Sequence, residues 1–169
     1  MKRSYFSRQC WSLSGVLVGM VLLFAIAASA QAPSIEGTYK RISRTLPDGT
    51  MLSPPDIMGL MTYTKTHRTF NIVRKDATGK FASRSSVSTY TLTATEYSET
   101  RLFSIVHDQI GGKEIVYNLS SETRSAPVTV EGGRIEFKHP FDPLSLVFEG
   151  NKITVTAEGR FVDVWEKVQ

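Results

Sequence analysis

From Ile35 to the end of the chain, apolar and aromatic positions alternate with polar ones in short runs, and no window of ten or more residues carries a stripe of helical period. Alternation of this kind buries one face of a strand and wets the other. Such runs lie around residues 39–42, 59–63, 69–74, 87–93, 101–107 and 114–119, then 128–130 and 135–137 as a hairpin, and finally 144–148, 153–157 and 161–168. Turn residues separate them: Pro47-Asp48-Gly49, Asp76 to Gly79, Gly111-Gly112, Glu131-Gly132-Gly133 and Glu149-Gly150-Asn151. The loop around Ser53-Pro54-Pro55-Asp56 leaves Ile57 and Met58 for a brief helical turn. The pattern predicts an all-β fold, an antiparallel up-and-down β-barrel of eight to ten strands, in which closure removes exposed edges. A β-sandwich is the second architecture, disfavoured because few connections are long enough for Greek-key crossovers.

The stretch before Ile35 has another character. Lys2, Arg3 and Arg8 open it, an apolar run of about 13 residues follows from Gly15 to Ala27, and small residues end it at Ala28-Ser29-Ala30. This is the pattern of a secretory signal peptide, residues 1–30, with cleavage expected after Ala30. A bilayer-spanning helix takes about 20 apolar residues, so the run is short for a membrane anchor. Cys10 precedes the apolar run, whereas a lipoprotein needs its cysteine after it. The expected product is one domain, residues 31–169, in the periplasm or secreted, with no transmembrane span after cleavage.

Removing the leader changes the charge. The full chain holds 20 Lys and Arg against 16 Asp and Glu, but three of the basic residues and none of the acids lie in residues 1–30. The remainder has 17 against 16 and no cysteine. This excludes nucleic-acid binding argued from net charge, a structural disulfide, a thiol nucleophile and a cysteine-ligated metal in the exported domain.

No catalytic group, metal site or cofactor is assigned from the residues. His67, His107 and His139 lie too far apart in sequence for a metal-ligand motif. No Gly-x-Ser-x-Gly is present, and Glu96 and Glu99 face opposite sides of a strand. Gly132-Gly133 is a turn with no helix after it to receive a phosphate. Asn118-Leu119-Ser120 matches a glycosylation sequon whose Leu119 is expected to be buried. The informative set is the apolar and aromatic residues expected to face inward: Met61, Tyr63, Phe70, Ile72, Tyr90, Tyr117, Phe137 and Trp165, with Leu92, Phe103 and Ile105 beside them. They either fill the barrel or line a cavity, and the buried phenols, which need hydrogen-bond partners, favour a guest.

The opening strand, Gly37-Thr38-Tyr39, resembles the Gly-x-Trp start of the lipocalin (calycin) superfamily. Pro47-Asp48-Gly49, the segment Gly59-Leu60-Met61-Thr62-Tyr63-Thr64 and the closing Trp165-Glu166-Lys167-Val168 resemble, in order and spacing, the bacterial lipocalin-like domains. The likeness runs from Ile35 to Val168. It implies a barrel whose closed end is built on Gly37 and Tyr39, with a cation across the Tyr39 ring, either Arg160 or Lys167. It also implies an interior able to hold a lipophilic or aromatic small molecule, and the alternation supplies Met61, Tyr63, Phe70, Ile72, Tyr90, Tyr117, Phe137 and Trp165 as the residues expected to meet that hydrophobic partner. A surface interaction module with a filled barrel, and a cyclase or isomerase on the same fold, are the alternatives, since one fold serves many chemistries.

Overall fold

The alternating runs form twelve strands in the computed structural model, which describes residues 32–168; the expected leader and its cleavage point lie outside the described residues. In chain order they are β1 (Gly37–Thr45), β2 (Met51–Leu52), β3 (Ile57–Tyr63), β4 (His67–Lys75), β5 (Phe81–Leu92), β6 (Glu96–Asp108), β7 (Lys113–Asn118), β8 (Glu122–Glu131), β9 (Arg134–Lys138), β10 (Ser145–Glu149), β11 (Lys152–Ala157) and β12 (Phe161–Lys167). Ten of them make a closed antiparallel barrel, each strand beside the next in the chain, with β12 returning to β1; β2 and β7 are additions that pair with β1 and β6. No helix occurs among the described residues. The helical turn expected at Ile57 and Met58 is absent: both belong to β3, where they pair with Arg74 and Val73, and Ile57 is fully buried.

Short turns fix the register. Between β8 and β9 the loop is Gly132-Gly133 alone, both with positive φ, and Glu131 pairs with Arg134. A two-residue turn with that geometry follows the twist of the flanking strands, and glycine reaches it without strain.

Two bulges decide which side chains enter the barrel. In β1 the register shifts between Arg41 and Ser43, so Ile42 is the extra residue and Arg41 and Arg44 share the inner face. In β6, Arg101 pairs with Ser88 and Phe103 with Val87, which makes Leu102 the extra residue. Tyr97, Glu99, Arg101 and Ser104 therefore come inward, and Phe103 and Ile105 turn out, contrary to the expectation from unbroken alternation. Ile105 pairs with Tyr117 on that outer side, and Tyr117, expected inside, is 65% exposed. β7 joins the outer half of β6 only and never enters the ring.

The end of the barrel that holds the β3–β4 and β5–β6 turns is closed by aromatic packing. Tyr90, Tyr97, Phe137 and Phe148 stack in sequence at centroid separations of 5.7, 4.3 and 5.7 Å. Tyr63 sets its edge against Tyr90 and Phe148 at 5.4 and 5.6 Å, and Tyr39 meets Phe148 at 6.1 Å. The phenols are satisfied locally: Tyr39 donates to the Ile35 carbonyl at 3.2 Å and Tyr90 to that of Thr64 at 2.5 Å. Lys167 is the cation across Tyr39, with Nζ 5.9 Å from the ring centroid, and a Cβ on Gly37 would strike the Lys167 chain. Arg160, the guanidinium first expected in that role, is ruled out by topology. Arg160 lies in the β11–β12 turn at the opposite end, nearest Phe161.

Candidate functional site

The opposite end of the barrel is not filled. A cavity of about 270 Å³ reaches inward from the mouth formed by the β9–β10 loop and the β11–β12 turn. This falls just below the roughly 300 Å³ at which ligand pockets begin, so only a small guest would fit. Of the residues expected to meet a ligand, Met61, Phe70, Ile72 and Trp165 wall it. Tyr63, Tyr90 and Phe137 belong instead to the aromatic packing of the closed end, and Tyr117 lies outside the barrel.

Phe70 and Trp165 approach at 6.0 Å and form the aromatic wall. Gly59 makes room for it: a Cβ there would lie 2.7 Å from Trp165 Cη2 and 2.9 Å from Ile72 Cγ2. The glycine of the third strand thus lets the indole rest on bare backbone.

Seven residues of the remaining lining are charged, which the apolar reading of the interior does not anticipate. Arg41, Arg44, Arg68, Arg84 and Arg160 face Asp142 and Asp163 around the cavity. Buried charges are tolerated only when paired and hydrogen-bonded. Three carboxylates organise most of the arginines. Asp163 on β12 accepts from Arg44 Nε at 2.6 Å and Nη2 at 2.8 Å, a bidentate pair, and Arg44 also lies 3.5 Å over the Phe161 ring. Asp142 in the β9–β10 loop accepts from both terminal nitrogens of Arg84 at 3.0 and 3.1 Å, with Arg101 at 3.9 Å. Glu99, just behind the cavity wall, accepts from Arg68 at 3.3 Å and from the Tyr97 hydroxyl at 2.6 Å; Arg68 also donates to the Tyr63 oxygen at 3.1 Å.

His139 sits between two of these groups. Its Nδ1 lies 3.3 Å from both the Phe141 amide nitrogen and Asp142 Oδ2, and its Nε2 lies 3.5 Å from Glu99 Oε2. Burial, reinforced by the Arg68 charge, depresses its pKa to about 4, so the ring is neutral at pH 7. Burial works against the Glu99 carboxylate, but Arg68 and His139 outweigh it and hold its pKa below the usual value. Asp142 is likewise lowered against the effect of burial, chiefly by Arg84. Glu99, Asp142 and His139 do not change protonation near pH 7, so these three groups fix charge in place and are poorly suited to moving protons.

Arg41 is the exception among the buried arginines. Its nearest carboxylate oxygen, Asp163 Oδ2, is 3.5 Å away, beyond good hydrogen-bond length, and it lies 5.1 Å over the Trp165 ring. Burial, with Arg44 and Arg74 adding to it against Asp163, lowers its pKa to about 10, so it remains charged at pH 7. Among the described residues no acceptor reaches Arg41 Nε, Trp165 Nε1 or His139 Nε2 within hydrogen-bonding distance.

These charged residues carried a sequence signal that the apolar reading passed over. Arg68 stands two and four residues from Phe70 and Ile72, Asp163 two from Trp165, and Glu99 two from Tyr97. Strand alternation puts each on the same inner face as its aromatic neighbour. Arg41 and Arg44 together required the β1 bulge, which no spacing announces.

His67 is exposed and bonds Thr66, and among the described residues no three His, Cys, Asp or Glu side chains converge on a metal position. No helix among the described residues is long and apolar enough to cross a membrane. Compared with known proteins, the sequence matches no family model and no curated protein.

Proposed function

We propose that this chain is an exported binding protein of lipocalin-like design that holds one small organic molecule at the open end of its barrel. The supporting observation is the division of the interior: aromatic packing fills one end, while the other keeps a cavity of about 270 Å³ walled by Phe70, Ile72 and Trp165. A packed scaffold has no physical need for such a space, because unfilled volume forfeits contacts. The signal-peptide pattern of residues 1–30 supports action in the periplasm or outside the cell. Native mass spectrometry of the mature chain recovered from its own host is expected to show one small-molecule adduct that denaturation releases. Recovery of bare protein only, together with a dye-displacement screen without hits, would count against the reading.

A second reading draws on β7. It pairs with β6 alone and exposes Ile115, Val116 and Tyr117, with Leu119 exposed just beyond its end, the features of a strand that recruits another chain. In that case the barrel is a scaffold, and concentration-dependent association that Val116→Lys abolishes would distinguish it.

A further inference from the structure

We infer that the guest of the open-end cavity is a small organic anion, its oxyanion head received by Arg41 and its apolar part lying against Phe70 and Trp165. This rests on the ligand-holding reading and specifies it.

Charge is the first ground. Five arginines and two aspartates line the cavity, an excess of three positive charges, and counting Glu99 and Arg101 just behind the wall leaves that excess unchanged. After removal of the leader the whole chain has an excess of one. The positive charge is therefore gathered at this end and balanced elsewhere. An adjoining recess of about 280 Å³ at the mouth adds Arg74 to Arg41, Arg44 and Arg84, against Asp108 alone. Such a mouth attracts anions and repels cations before contact is made.

The second ground is the state of the donors. The carboxylates are taken: both oxygens of Asp163 by Arg44, both of Asp142 by Arg84, and those of Glu99 by Arg68 and Tyr97. Arg41 is left over. Its side chain is 1% exposed, yet among the described residues its Nε finds no acceptor and its Nη2 lies 3.5 Å from Asp163 Oδ2, and the indole N–H of Trp165, also 1% exposed and stacked beneath it, has no acceptor either. Burying a guanidinium and an indole N–H without acceptors is unfavourable by itself. A planar oxyanion is the acceptor that a guanidinium fits best, and it can accept from more than one donor at once.

Size is the third. A cavity of about 150 Å³ takes benzene, so about 270 Å³ takes one ring and a head group, or a short aliphatic acid, and excludes long acyl chains. The shared chemistry is a carboxylate, phosphonate or sulfonate head on a compact apolar body.

Trp165 is the only tryptophan of residues 31–169, so its emission reports the site directly. The mature protein is titrated at fixed ionic strength with benzoate, phenylphosphonate, benzamide, benzylamine and inorganic phosphate, with calorimetry in parallel. Benzoate and phenylphosphonate are expected to bind at least about tenfold more tightly than benzamide, and benzylamine more weakly still. Phenylphosphonate is also expected to exceed inorganic phosphate about tenfold. Arg41→Gln is expected to bring benzoate down to the level of benzamide. Arg160→Gln, at the exposed rim, keeps the interior intact and weakens both aromatic anions about threefold; it decides the matter if the Arg41 variant fails to fold. Equal binding of benzamide and benzoate, or equal loss of both in either variant, overturns the anionic head while leaving a ligand-holding cavity. Inorganic phosphate binding as well as phenylphosphonate overturns the organic body. Silence from all five probes, with a cavity that takes up no arene at any charge, overturns the ligand reading itself.

Discussion

Arg41 and Asp163 meet across β1 and β12 at 3.5 Å because Arg44, one bulge further along β1, already holds both oxygens of that carboxylate at 2.6 and 2.8 Å. One buried acid thus faces two arginines and satisfies one. Asp163→Asn leaves two guanidinium groups without a counterion and is expected to lower unfolding free energy by about 3–5 kcal/mol. Arg41→Met removes a buried charge whose Nε finds no acceptor among the described residues and fits the same space, so stability within about 1 kcal/mol of the wild type, or above it, is expected. Urea denaturation followed by circular dichroism measures both. The reverse order of effects would mean that Arg41 is a structural member of the pair.

Gly59 is the position where a single methyl group reports on the aromatic wall. The Cβ of Gly59→Ala would lie 2.7 Å from Trp165 and 2.9 Å from Ile72, so the indole has to move. A loss of about 1–3 kcal/mol is expected, with a shift of the Trp165 emission maximum as the ring changes its surroundings. Unaltered emission and stability would show that the indole does not rest on that strand.

Acid is expected to destabilise the fold in a defined window. His139 titrates near 6.5 when unfolded and about 4 when folded, through burial and its neighbours Arg68 on β4 and Arg84 on β5, opposed by Glu99 on β6 and Asp142 in the β9–β10 loop. Between those values the unfolded chain binds the proton and the folded one does not, so stability falls as pH drops from 6.5 towards 4. Glu99 and Asp142, with depressed folded values, add losses at the acidic end. The melting temperature should be flat just above pH 7 and decline below about 6.5, and His139→Gln should reduce the decline over the upper part of that range. A melting temperature that holds or rises on acidification would contradict the buried neutral histidine.

Tyr117 and Phe137 read alike in the sequence and part company in the fold. Phe137 is buried in the closed-end stack, 4.3 Å from Tyr97, while Tyr117 stands outside on β7. Phe137→Ala is expected to cost about 3–5 kcal/mol and Tyr117→Ser no more than about 0.5 kcal/mol. Comparable losses in thermal denaturation would place Tyr117 in the core after all.

The strands were legible because strict alternation has no other physical reading, and the same rule brought Met61, Phe70, Ile72 and Trp165 to one interior. Tyr117 failed for want of one fact, the extra residue Leu102, which reverses the phase of β6 and leaves β7 outside the ring. Arg160 failed because the choice between it and Lys167 depended on which end of β12 meets Tyr39, and pairing of Tyr39 with Lys167 decides that. The charged wall was legible in part: Arg68 shares its alternation with Phe70, but a charge on a strand is ordinarily a solvated face. Its burial depends on partners as remote as Glu99, which come together only when the barrel closes.

A crystal structure of the mature chain purified from its own host tests the account most directly. Electron density for one compact organic molecule is expected in the cavity, its apolar part against Phe70 and Trp165 and its oxygen atoms within hydrogen-bonding distance of Arg41. A cavity closed by its own side chains, with Arg41 paired to Asp163 at full hydrogen-bonding distance and no density beside Trp165, would contradict it.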